Sequence, residues 1–173
     1  WVILGAIWFY QLTVLSGRFE DLRRVFDRLG GGDLRIQAIL IAFCFGGLLE
    51  ALAGFGAPVA ITATMILALG VKPLKAAITV LLANTAPVAF GAVAVPITTA
   101  ADVGGKDAHV IATIVGHQAP FLAMLVPLIL LVILDGMKGL KDAWLPALII
   151  GVSFAITQWV TAATPAFNLT DVV

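Results

Sequence analysis

Cysteine, histidine, serine and charge are all scarce in this 173-residue sequence, and each shortage removes a class of protein. The single cysteine, Cys44, excludes an intrachain disulfide and any multi-cysteine metal site, and it reads as a small buried hydrophobe. Ser16 and Ser153 are the only serines; neither has a Gly-x-Ser-x-Gly setting, and no His-Glu-x-x-His zinc motif occurs. With no aspartate inside an apolar stretch either, an intramembrane enzyme lacks its parts, so neither catalysis, a cofactor nor a metal is expected. Charged residues make up 12% of the chain, where a soluble domain has about 25%. The formal net charge is zero, which leaves no basic field to attract nucleic acid. The chain also opens at Trp1 without Met or a basic leader, unlike a signal peptide, and is expected to be an internal piece of a longer protein.

What is present is apolar: 61% hydrophobic residues and a mean hydropathy of +1.10. A soluble core cannot absorb that excess. A helix crosses a bilayer with about 20 mostly apolar residues, so several stretches of this chain are expected in lipid.

Charge at the bilayer centre is costly, so charged residues sort loops from spans. They fall into blocks: Arg18 to Arg35, Lys72 with Lys75, Asp102 to His109, and Asp135 to Asp142, with Asp171 near the end. Outside the blocks stand only Glu50 and His117. The expected division is the end of a span over 1–16, a cytoplasmic amphipathic segment over 17–35, a helical hairpin over 36–70, a broken span over 73–101, and spans over 110–134 and 143–163. Phe19, Leu22, Val25, Phe26 and Leu29 recur at helical spacing among charges, as on a surface-lying helix. Three of the loops carry excess Lys and Arg and are expected to be cytoplasmic; the loop from Asp102 to Asp107 does not, and is expected outside.

Parity then requires 36–70 to return to its own side. As one straight helix it would be about 50 Å long, too long for one span, and Gly54 and Gly56 lie near its middle. In 73–101, Asn84-Thr85-Ala86-Pro87 and Gly91 interrupt the helix halfway. A hairpin with a Gly-rich tip beside a broken helix is how many carriers build a site at the midplane, with half-helix N-termini facing an anion. The fold class is therefore an all-α polytopic membrane protein with a helical hairpin and a broken transmembrane helix.

The segment Cys44-Phe45-Gly46-Gly47-Leu48-Leu49-Glu50-Ala51-Leu52-Ala53-Gly54-Phe55-Gly56-Ala57-Pro58-Val59-Ala60-Ile61 resembles a signature of the lactate permease family. Asn84 to Ala92 with Pro96-Ile97 is similar to that family's second motif, and Asp135-Gly136 through Pro146 to its later cytoplasmic loop. The resemblance runs from about Trp1 to Trp159. It implies a fragment of an inverted-repeat ion-transporter-like fold, a multi-pass protein of the bacterial inner (plasma) membrane, and symport of L-lactate or glycolate with protons. The runner-up is a sodium- or proton-coupled carrier of other carboxylates, or an anion channel.

Glu50 is the candidate for proton coupling. An ionised carboxylate in an apolar limb carries a desolvation cost, so it can take up and release a proton as its surroundings change; the alternative is a structural Glu that caps a half-helix or pairs with an Arg elsewhere. Gly54, Gly56 and Pro58 would let a carboxylate approach free N–H groups of a new helix, or would simply allow tight helix packing. Asn84 and Thr85 precede Pro87 as an N-cap pair precedes a helix start, with half-helix N-termini expected near Pro58 and Pro87. With Gly91 they would hold a carboxylate or hydroxyl, or else satisfy a kink. Phe55 and Phe90 would cover a small organic acid or pack as core aromatics. Partners are thus a small carboxylate, protons and the lipid bilayer. Trp1, Trp8, Trp144 and Trp159 read as interface anchors.

Overall fold

A computed structural model of the chain describes residues 8, 11–12, 15–54 and 56–173. Among them every regular element is helical: α1 (Arg18–Leu29), α2 (Leu34–Ala53), α3 (Ala57–Ala68), α4 (Pro73–Ala83), α5 (Val95–Gly104) and α6 (Ala108–Ala162). Three stretches are long and apolar enough to cross a membrane: Leu34–Ala53, Pro87–Gly104 and Ala108–Ala162.

Helix α1 buries Phe26 against the Phe45 ring, 5.5 Å between centroids, while Val25 and Leu29 remain exposed. A turn through Gly30–Gly32 leads to α2, whose N-cap Asp33 accepts the Arg35 N–H at 2.8 Å. Gln37 Nε2 donates to Asp27 Oδ1 at 2.7 Å and ties the two helices together. Within α2 the segment Leu40–Phe45 has π-helical hydrogen bonding. Such a bulge rotates everything after it by about one residue's worth of helix, roughly 100°, and so sets which way the Gly46–Ala53 limb, with Glu50, faces.

The limb α2 ends at Gly54, where φ 56° and ψ −167° leave helical space. Gly56, at φ 83°, caps the start of α3, and Pro58 takes a first-turn position that lacks nothing by lacking an N–H. Thus α2 and α3 form a helical hairpin. Ile39, Ile41, Phe43, Ile66, Val80 and Leu130 fill the core where α2, α3, α4 and α6 meet.

α6 has 55 residues and would be about 80 Å long if straight, more than twice a hydrocarbon core of about 30 Å. Its backbone leaves helical geometry at Asp135, Gly136 and Ala143. The two arms fold back on one another: a Cβ on Gly116 would collide with Ala162, and one on Gly151 with the Met124 carbonyl. His117 packs edge-on to Trp159 at 6.1 Å, continuing the antiparallel register. Small residues thus let the arms meet backbone to backbone.

The bend brings three charge blocks to one end of the bundle. Arg35 Nη2 lies 2.8 Å from Asp33 Oδ2, and Nη1 lies 3.2 Å from Asp135 Oδ2 and 3.0 Å from Asp142 Oδ2. Lys75 Nζ donates to the Leu134 carbonyl at 3.1 Å. The hydrogen bond from Arg35 holds the Asp33 carboxyl below its ordinary 3.8. The loop before α6 sits at the opposite end of that helix's first arm, where Asp107 caps it by accepting from the His109 and Val110 N–H groups.

Candidate functional site

The hairpin tip faces the break between α4 and α5. A Cβ on Gly54 would come within 2.9 Å of Ala92 Cβ, so the two irregular segments abut. Gly91 has φ 58° and ψ −155°, nearly the conformation of Gly54, in a region that is essentially glycine-only. Val93 (φ 49°) and Ala94 (φ 55°) follow in the left-handed region, which L-residues rarely occupy. Two glycine breaks therefore oppose each other, each between helical pieces.

Between them lies an open cavity of about 750 Å³, lined by Glu50, Gly54, Gly56, Asn84 and Gly91 among others. Glu50 sits one turn before the tip, 5% exposed, with Oε2 unpartnered and the Asn84 side chain at its carboxyl group. Nothing lies within 4 Å of where a Gly56 Cβ would stand, so that glycine opens directly on the cavity. The far wall is one face of α5, built from Val95, Pro96, Thr99 and Val103.

Four other expected site residues lie elsewhere in the fold. Thr85 is exposed and turns its Oγ1 back to the Leu82 carbonyl at 2.6 Å. Asn84 and Thr85 close the C-terminal end of α4 and do not open a new helix: the Asn84 N–H donates to the Val80 carbonyl at 3.0 Å. Pro87 begins a single 3-10 turn, Pro87–Ala89, and is buried. The left-handed residues from Gly91 to Ala94 delay the restart, so the second half-helix N-terminus is at Val95, with Pro96 in its first turn. Phe90 is 1% exposed and packs with Ile97, Ala112 and Ala162 as a core aromatic. Pro58 is buried, its carbonyl accepting from Thr62 Oγ1 at 2.7 Å. Phe55 lies outside the described residues, as does Trp1.

Three residues near the site escape a listing of ionisable groups in apolar stretches. Thr99 follows Pro96 by three and precedes Val103 by four, a helical stripe that would have marked one wall. Gln158 is a neutral polar residue inside a span, and Asp171 lies beyond the last span. Both are buried.

The cavity combines polar groups with apolar surface. It offers an amide donor and acceptor from Asn84, a carboxyl group from Glu50, backbone exposed at Gly54, Gly56 and Gly91, and apolar area from α5. Among the described residues no ion pair reaches Glu50.

Comparison with known proteins decides the family. The profile of L-lactate permease matches residues 1–173. The chain belongs to the L-lactate permease family. It is 49% identical over 172 residues to the glycolate permease GlcA of Escherichia coli, covering 99% of this chain and 30% of the relative. It is 42% identical over 173 residues to the L-lactate permease of Escherichia coli, covering 100% of this chain and 31% of the relative. With the L-lactate permease of Bacillus subtilis it shares 44% over 172 residues, covering 99% and 30%. The chain thus spans about 30% of the length of these relatives. No solved structure matches it.

Proposed function

We propose that the full-length protein is a multi-pass carrier of the bacterial inner membrane that moves L-lactate and glycolate together with protons. One observation carries this reading: a cavity between two opposed glycine breaks holds Glu50 and Asn84, in a chain 49% identical to a glycolate permease. The substrate carboxylate or 2-hydroxyl meets the Asn84 amide and the exposed backbone at the tip. Protonation of Glu50 removes its repulsion towards that carboxylate, which couples binding of the anion to binding of a proton.

The charge blocks support a topology with Arg18 to Arg35, Lys72 with Lys75, and Asp135 to Asp142 cytoplasmic, and Asp102 to Asp107 outside. Arg35, Asp135 and Asp142 converge at one end of the bundle, and the first arm of α6 separates them from Asp107. The loops at that shared end carry the excess of basic residues.

The experiment is uptake of labelled L-lactate and glycolate by the full-length protein in proteoliposomes, with and without an inwardly directed pH gradient. Uphill accumulation that needs the gradient is expected, and Glu50→Gln should abolish it while exchange of internal for external substrate continues. Accumulation by Glu50→Gln equal to wild type would remove Glu50 from coupling; wild type that moves neither acid would overturn the whole reading.

A further inference from the structure

A second buried carboxyl group is tied to the break that lines the cavity. Gln158, on the second arm of α6, is 1% exposed; its Nε2 donates to Asp171 Oδ1 at 2.9 Å and reaches the Ala86 carbonyl at 3.5 Å. Ala86 belongs to the break after α4, so this amide ties Asp171 to the interrupted helix that lines the cavity. Asp171 follows the turn Phe167–Leu169 and is 9% exposed. Both acceptors of the amide are oxygens, so its NH₂ must point to them and its Oε1 away.

Glu50 Oε2, Asp171 Oδ2 and Gln158 Oε1 are among the buried oxygens left without a partner. An amide oxygen and an ionised carboxylate only accept. These unsatisfied acceptors, two of them on carboxyl groups, call for donors that the described residues do not supply. Among those residues no ion pair reaches Asp171, and the groove of about 400 Å³ beside it adds Cys44 as a titratable group and no basic one. A buried carboxylate with no cation beside it ionises at a high cost, and a bound proton relieves that cost.

We infer that Asp171 is a second proton-binding carboxyl group in addition to Glu50, with Gln158 as the positioning residue that holds it at the break. The inference rests on the proton-coupled reading above and extends it from one carboxyl to two. A proton taken from the outer solution forms the O–H bond on one carboxylate oxygen; the same bond breaks towards the inner solution once the substrate has left.

The test uses the full-length protein in proteoliposomes. Asp171→Asn keeps the Oδ1 acceptor for Gln158 and removes the titrating group. It should accumulate lactate only to the external concentration, while exchange of internal for external substrate survives. Asp171→Glu should restore accumulation with a displaced pH profile, and Gln158→Leu should displace the profile without removing accumulation. These last two also decide the matter if Asp171→Asn does not fold. Asp171→Asn that accumulates like wild type overturns the inference, and so does equal loss of exchange and accumulation in the Asn and Glu variants, which marks a structural role. If wild type follows the pH gradient and Glu50→Gln uncouples it, those results sink only the second carboxyl. Wild-type uptake indifferent to pH sinks both readings.

Discussion

Asn84→Ala separates the cavity from its surroundings more cleanly than any other single change. The residue is half-buried, and its side chain stands at the Glu50 carboxyl on the cavity wall. Its backbone N–H donates to the Val80 carbonyl at 3.0 Å, a bond that alanine keeps. Alanine is also the better helix former, so the end of α4 should hold. What is lost is an amide that can hydrogen-bond a charged carboxylate. Such a bond contributes about 1.5–3 kcal/mol, which is roughly a 10- to 150-fold rise in Kd. The neighbouring Thr85→Ala is the control, because Thr85 Oγ1 is spent on Leu82 and the side chain is exposed. Equilibrium binding of labelled L-lactate and glycolate to purified full-length protein measures both. Affinity unchanged in Asn84→Ala, or reduced equally in Thr85→Ala, would refute the assignment of the site to this cavity.

Three further outcomes follow from the same geometry. Gly54→Ala forces a Cβ into glycine-only backbone space and to 2.9 Å from Ala92 Cβ, so thermal unfolding in detergent should show a loss of about 1–3 kcal/mol; a variant as stable as wild type would mean the tip does not abut the break. Asp33 has a depressed value, so its contribution to stability is complete above the ordinary 3.8 and drains away as pH falls below it; Arg35→Gln should lower the melting temperature at pH 7 and lose part of that acid sensitivity, and matching pH curves would contradict the ion cluster. Single cysteines at Lys72, Lys106 and Lys138 should label from the inside, outside and inside respectively, and Lys72 and Lys106 labelling from one face would break the proposed topology.

Some of this protein was readable in its sequence because the causes are local. Apolar composition and the clustering of charge dictate membrane helices, since neither hydration of a large apolar surface nor burial of scattered charge is tolerable in any fold. The interruptions at Gly54, Gly56 and Gly91 are likewise local, because the backbone there adopts angles that only glycine takes at low cost. Glu50 was visible as a lone carboxyl in an apolar run. Other features depend on contacts between distant segments. Asn84 faces the cavity while Thr85 turns away because the end of α4 is rotated against the hairpin limb, which follows from packing and from the π segment in α2. The restart at Val95 in place of Pro87 depends on three left-handed residues, two of them not glycine, that only the surrounding structure can hold there. Phe90 joined the core because Ala112 and Ala162, far along the chain, left room for it. Gln158, and Asp171 with it, reached the break at Ala86 only because the arms of α6 fold back on each other, a close approach that Gly116 and Gly151 permit and that no local pattern around Asp171 foretells.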